Sequence, residues 1–572
     1  MSSLAEKLSE IVGQAFASLG LPAEMGGVRV SDRPDLAQFQ CNGAMSAAKQ
    51  AKKNPREVAQ SIVDVLSQNP IFSKIEIAGP GFINLNLTDD FIAAHVNDVV
   101  KDTRLGIAQK KPDTVVLDYG GPNIAKPMHV GHLRASIIGD TLRRIIKHAG
   151  YNAIGDVHMG DWGTPMGMII SELEIRGILG TPVTMQDLEE IYPAAANACK
   201  ADEARMEKAR AATVKLQDGD VAYRKVWQQF IDVSIAGMKK NFDALGVHFD
   251  LWKGEASVHD LIAPMVENLK KQGFAQDSDG AVVVAVAQEG DKKEMPPLIL
   301  YKSDGAVMYG TTDLATIVDR MQENKPVKII YVVDQRQSLH FEQVFRAARL
   351  GKIVNDNVEL THAGFGTMNG ADGKPFKTRA GGVMKLEDLI ATGLEKAQAR
   401  LAEAEIGSDF STEEKNDIAH KVAIAAIKFA DLQNQRQSDY VFDLDRMTSF
   451  EGKTGPYLLY QAVRIKSLLK KAEAQGMKPG AIQIEDGDRA LALLLTELPD
   501  HFETALKNYT PHVLCDYAFK LAQAFSSFYA SCHILSEENE SLRSSRLALC
   551  ALTYQQLALV LGLLGIEIPE RM

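Results

Sequence analysis

The chain has 572 residues, 45% hydrophobic and 24% charged, with a net charge of -11 at pH 7. That length suits on the order of three or four domains, and the composition excludes disordered and fibrous classes. An acidic balance excludes indiscriminate nucleic-acid binding, yet a local basic surface still acts within a Debye length of roughly 8 Å, so a structured RNA partner stays open.

Ser3 and Glu6 stand at capping-box spacing before Leu4, Leu8, Ile11, Val12 and Phe16 on one helical stripe. This predicts a folded amphipathic helix and no signal peptide. Phe39 beside Asn42 reads either as a stacking and hydrogen-bonding pair for an unpaired base or as a core residue next to a turn. Residues Lys74 to Leu87 alternate around Gly79-Pro80-Gly81 like two antiparallel strands, and Thr103 to Asp113 reads as a linker closing a unit over 1–108. Over 109–400, strand and helix patterns alternate, with buried-type strands at Thr114–Tyr119, Lys328–Val333 and Val358–His362. That alternation predicts an α/β fold, a doubly wound parallel sheet of Rossmann-like type. A helical and mixed stretch at about 181–300 reads as an insertion between its halves. Residues 401–572 read as an all-α bundle without a strand. There Arg436, Arg446, Arg464, Lys466, Lys470 and Lys471 are phosphate contacts or solvated helix faces. Cys41, Cys199, Cys515, Cys532 and Cys550 are odd in number, widely spaced and lack a Cys-x-x-Cys pair. Neither a disulfide framework nor a zinc knuckle is expected. No apolar run approaches the ~20 residues of a membrane span, so the expected setting is cytoplasmic.

One stretch carries chemistry. Pro122-Asn123-Ile124-Ala125-Lys126-Pro127-Met128-His129-Val130-Gly131-His132 follows the first strand and opens a helix in which Leu133, Ile137, Ile138, Leu142, Ile145 and Ile146 line one face. A sharp strand-to-helix turn presents free N–H groups and a helix dipole to phosphates, and two imidazoles add donors. About 250 residues later, Gly364-Phe365-Gly366 leads into a glycine-rich cationic loop with Lys374, Phe376, Lys377 and Arg379, suited to polyphosphate. In this order the two elements resemble the His-x-Gly-His and mobile-loop signatures of class I aminoacyl-tRNA synthetases. The loop departs from the usual Lys-Met-Ser-Lys-Ser form, with Arg379 in place of the second lysine. The arginine-specific branch often lacks that lysine and carries one upstream of the first signature, where Lys126 stands. Val157-His158-Met159-Gly160-Asp161-Trp162-Gly163-Thr164, Ser303-Asp304-Gly305 running to Tyr309 and Asp313, Asp334-Gln335-Arg336-Gln337-Ser338-Leu339-His340, and the ending Gly565 to Met572 extend the likeness. Across nearly the whole chain it resembles the bacterial arginyl-tRNA synthetase family.

The resemblance implies ATP-dependent ligation of L-arginine to tRNA(Arg) through an arginyl-adenylate, with tRNA bound before activation. It implies catalytic roles for His129, His132, Lys126, Lys377 and Arg379. ATP would lie among Pro122, Asn123, His129, Gly131, His132, Phe376 and Lys377, and arginine among Asp118, Asn123, His132, Tyr309, Asp313 and Gln337. Gly121 stands where some members carry serine, which removes one hydroxyl. Mg²⁺ is expected to arrive with ATP as co-substrate, with no protein-bound metal. The 1–108 unit would contact the tRNA elbow, the 401–572 bundle the anticodon, and the enzyme would be a monomer free of membranes. The alternatives are a class I synthetase for another amino acid, or a tRNA-binding paralogue without catalysis.

Overall fold

The computed structural model describes residues 2–572 apart from 304, 375, 377–382, 408 and 486. The first helix, Leu4–Ser18, starts on the expected capping box: the Glu6 amide donates to Ser3 Oγ and the Ser3 amide to the Glu6 carboxylate. It packs on an antiparallel sheet with the order Val28–Val30, Phe39–Cys41, Phe82–Leu87, Phe72–Ala78. Phe39 is 3% exposed in that sheet's core. Its ring is therefore a packing group and not a base-stacking surface. The side-chain oxygen of Asn42 is buried without a hydrogen-bond partner among the described residues.

The central sheet has five strands: β1 (Thr114–Asp118), β2 (Asn152–Met159), β3 (Leu251–Gly254), β4 (Lys328–Tyr331) and β5 (Glu359–His362). Their spatial order is β5-β4-β1-β2-β3, and every neighbouring pair is parallel. Val115, Val116, Leu117, Ile329 and Ile330 are buried because helices cover both faces of such a sheet. The chain winds outward one way from β1 and the other way from β4. A cleft therefore opens at the carboxyl ends of those two strands, the place where α/β sheets bind ligands. Helix α1 (Leu133–Ala149) follows β1, α2 (Tyr309–Glu323) precedes β4, and α3 (Ser338–Leu350) joins β4 to β5.

The insertion expected over 181–300 is two inserts divided by a strand of the sheet. Helices Met185–Ala201, Glu203–Gln217 and Val221–Ala244 lie between β2 and β3. After β3 come helix His259–Lys271 and an antiparallel sheet of Ala275–Ser278, Ala281–Val284 and Leu298–Tyr301. β3 is a four-residue edge strand, Leu-Trp-Lys-Gly, with too few residues and too mixed a pattern to register as a buried strand.

Beyond residue 400 the chain is helical, but one strand does occur. Tyr440–Val441 pairs in parallel with Met368–Asn369 and ties the bundle to the loop entering the second signature. The last helix, Glu540–Leu563, is long and apolar enough by length and composition to cross a membrane, contrary to the reading of the sequence. Arg543, Arg546 and Gln556 interrupt its apolar run, so counting contiguous residues passes over it. Its apolar window is 67% buried inside the molecule, as in a core helix.

Candidate active site

The chain leaves β1 through Gly120 and Gly121, both at positive φ, and Asn123 pairs beside Gly160 just past β2. Ile124 N–H donates to Gly160 O at 3.0 Å, and Gly160 N–H donates to Pro122 O at 3.2 Å. A Cβ on Gly160 would lie 2.1 Å from Asn123 Oδ1, so a larger residue there would push the amide aside. The two strand ends are thus laced together, with Asn123 left exposed at the cleft.

His129 and His132 fold back on their own turn. Gly131 N–H donates to His129 Nδ1 at 3.1 Å, and His129 N–H donates to His132 Nδ1 at 3.2 Å. Each Nδ1 is an acceptor, so each neutral ring carries its proton on Nε2. Burial, then the nearby Lys126 ammonium, lowers the proton affinity of His129. Burial, then repulsion from His129, lowers His132 to about 3. At neutral pH the pair therefore offers two Nε2–H donors on rings whose centroids are 4.0 Å apart. A Cβ on Gly131 would sit 2.7 Å from the His129 ring, so the middle residue must be glycine for this folding-back. These donors stand ahead of the 17-residue α1, where backbone N–H groups and the helix dipole also favour an anion.

Of the cations expected near phosphate, Lys126 is half-buried with its ammonium 4.6 Å from the ring centroid of Tyr192, on an inserted helix. Lys377 and Arg379 lie outside the described residues. The segments flanking them are placed. On the near side Phe376 N–H donates to Met368 O at 3.1 Å and its ring meets Phe442 edge-on. On the far side Val130 N–H donates to Met384 O and Leu386 N–H to Met128 O, both at 3.0 Å. The backbone after the second signature is therefore bonded to the backbone of the first.

Sequence reading passed over Arg134, which fastens the near side. It is 2% exposed on α1, donates to Gly366 O at 2.7 Å and Ser438 O at 3.0 Å, and pairs with buried Asp431 at 3.1 Å. The available signal was an arginine directly after Leu133, in a stretch where Leu133, Ile137 and Ile138 recur at helical spacing.

The expected amino-acid residues divide. Tyr309 and Asp313 occupy the first turns of α2; Tyr309 is 72% exposed, and Asp313 Oδ2 lies 2.5 Å from His340 Nε2 on α3. Gln337 is exposed where α3 begins. Asp118 differs from expectation: its Oδ2 accepts from buried Arg320 at 2.6 Å. One oxygen of Asp118 is therefore held by an internal guanidinium, as one oxygen of Asp313 is held by His340. Glu255, unforeseen, has its proton affinity pushed up to about 8 by burial and then by Asp161 and Asp313. Glu255, Asp161 and Asp313 thus bring their carboxyl groups together near the start of α2.

The strand-to-helix turn thus carries two donor imidazoles, the backbone after the second glycine-rich segment is bonded to it, and carboxyl groups gather near the start of α2. Known proteins match the chain throughout. Residues 95–444 match the family described as tRNA synthetases class I (R), catalytic domain. Residues 458–572 match the DALR anticodon binding domain, and 2–87 the Arginyl tRNA synthetase N terminal domain. The Arginine--tRNA ligases of Maricaulis maris (strain MCS10) and Alkaliphilus oremlandii (strain OhILAs) are 50% and 46% identical, each with 100% of both chains covered. A crystal structure of arginyl-tRNA synthetase from Plasmodium falciparum superposes with a TM-score of 0.85 at 27% identity, covering 100% of both chains. The Thermus thermophilus arginyl-tRNA synthetase shares the fold over 100% of both chains, with a TM-score of 0.83 at 23% identity. With three family matches in this order and full-length relatives at half identity, the chain belongs to the arginyl-tRNA synthetase family.

Proposed function

We propose that this chain ligates L-arginine to its cognate tRNA: the arginine carboxylate attacks the α-phosphorus of ATP, pyrophosphate leaves, and the adenylate acylates the tRNA 3′-terminal ribose. The observation that carries the first step is the paired Nε2–H donors of His129 and His132 at the start of α1. No protein nucleophile is needed. The step requires reactants held in line and fixed donors where charge grows on the α-phosphoryl oxygens. Pro122, Asn123, Gly131 and Phe376 border the nucleotide in this reading, while Lys126, Lys377 and Arg379 meet its phosphates. Mg²⁺ comes with ATP as part of the substrate.

Asp313 takes the substrate guanidinium, with Tyr309 and Gln337 beside it, and Asn123 and His132 hold the amino-acid head. Asp118 serves this pocket from behind, because Arg320 already holds one of its oxygens. A pocket of fixed acceptors rejects lysine by leaving bonds unmade, so no editing site is required. The 1–108 unit grips the tRNA elbow, 109–400 performs the chemistry and 401–572 holds the anticodon. The chain acts in the cytoplasm as a monomer without membrane attachment.

The test of the pocket is Asp313→Asn, which keeps shape but turns an N–H pair toward the guanidinium. Losing one partner of a close charged pair costs about 2–5 kcal/mol, or roughly 30- to several-thousand-fold in kcat/KM for arginine. ATP affinity should barely move. Arginine efficiency within about threefold of the parent removes Asp313 from the pocket.

A further inference from the structure

Tyr331, Asp118 and Asp156 stand side by side on β4, β1 and β2, in direct register, and so share one face of the sheet at its carboxyl end. Two carboxylates on neighbouring strands repel in a buried setting and require a cation. Arg320, from the last turns of α2, supplies it. It is 1% exposed, its Nη2 donates to Asp118 Oδ2 at 2.6 Å and Asp156 Oδ2 at 2.7 Å, and its guanidinium lies 5.3 Å from the Tyr331 ring centroid.

On α2, residues 313, 316 and 320 fall on one face, since i, i+3 and i+7 positions align. That face meets the sheet at two levels and a helix at the third: Arg320 bonds Asp118 and Asp156, Thr316 Oγ1 lies 3.4 Å from His158 Nε2 on β2, and Asp313 reaches His340 on α3. The contact with two strands at one end of α2 therefore fixes the rotation and height of the whole helix, and with it where Asp313 points at the other end. Asp118 is fixed at the same time, one oxygen held and the residue set between β4 and β2.

We infer that Arg320 is a positioning residue for arginine selection: by clamping Asp118 and Asp156 it sets the orientation of α2 and so the placement of Asp313 and Tyr309 in the pocket. The inference rests on the assignment of Asp313 to the substrate guanidinium. It assigns to a side chain that touches no substrate the reach that matters, because its nitrogen bridges two strands at once. Nη1 and Nε have no hydrogen-bond partner among the described residues, so the bridge depends on Nη2 alone.

Arg320→Lys tests it. The charge stays, but the side chain ends one bond short of the bridging nitrogen, so keeping both contacts pulls α2 toward the strands. A displacement of that order should raise the KM for arginine by about 10- to 100-fold. The KM for ATP, measured on the same tRNA-charging assay, should stay within about twofold, because His129 and His132 belong to another wall. Asp156→Asn keeps the shape but removes the charge that ties Arg320 to β2, and should raise the arginine KM by about 5- to 30-fold while the ATP KM stays within about twofold. An arginine KM within threefold in folded Arg320→Lys overturns the inference, as does an equal rise in both KM values. An arginine KM within about twofold of the parent in folded Asp156→Asn overturns it as well, and this arm decides the matter if Arg320→Lys does not fold. Asp313→Asn in parallel separates the two readings: if it loses arginine efficiency while Arg320→Lys does not, the pocket stands and only the clamp fails.

Discussion

At the scale of single residues, the proposed adenylate step turns on which nitrogen of two histidines bears the proton. His132 keeps its donor because burial holds the ring neutral well below physiological pH, down to about 3, so the proton on Nε2 is not contested by a second one between pH 5 and 8. A glutamine amide superimposes a donor on the Nε2 position, whereas asparagine reproduces only the Nδ1 position, which here accepts from the turn. His132→Ala should slow adenylate formation by about 10²–10³-fold, the scale of one deleted transition-state donor. His132→Gln should recover more of the rate than His132→Asn. Single-turnover measurements with tRNA present read both, and equal rates for the two amides would remove the Nε2–H role. The strand-to-helix turn that carries the two histidines was legible from residue spacing, whereas Asp313 became a candidate only through the family resemblance. The commitment of Asp118 was not legible, because its partner Arg320 lies 202 residues away and only the folded sheet brings them together.

At the scale of elements, β1, β4 and α1 were legible for simple reasons. Val115–Leu117 and Ile329–Ile330 are unbroken apolar runs, and the apolar positions of α1 recur at helical spacing. β3 was hidden because an edge strand has little apolar face to declare, with Trp252 and Lys253 half-exposed. The turn from β1 to α1 also shows how Lys126 is stored. Its ammonium rests on Tyr192 of an inserted helix, a contact worth about 0.5–1 kcal/mol at a partly exposed site and easily surrendered to a polyphosphate. Lys126→Ala should therefore slow adenylate formation by about 10²–10³-fold with little change in the KM for arginine. Adding Arg379→Lys should return part of the loss. A change below about twofold in single-turnover adenylate formation would make Lys126 an ordinary turn residue.

At the scale of the whole molecule, the sheet and the bundle are not independent bodies. Arg134 on α1 pairs with Asp431 in helix Thr412–Leu432, both nearly unexposed. Lys428, also fully buried, donates to Gly565 O at 2.8 Å, and burial lowers it to about 8. Met368–Asn369 pairs with Tyr440–Val441 across the same boundary. The sequence suggests a boundary near residue 400, since composition turns helical there, but it carries no sign of these buried ties. A fragment ending near residue 400 loses the Asp431 partner and the Ser438 acceptor of Arg134, and uncovers apolar surface that the bundle buries. Such a fragment should melt well below the full chain as well as lose tRNA affinity. Unchanged thermal unfolding and unchanged aminoacylation would reject both the coupling and the anticodon role of the bundle.

The most direct measurement is a screen of the twenty amino acids for ATP–pyrophosphate exchange by the full chain, with and without total tRNA. Exchange with arginine alone among them, and only when tRNA is present, is the result this account predicts. Exchange with another amino acid, no exchange with arginine in the presence of tRNA, or full exchange with arginine and ATP alone would contradict it.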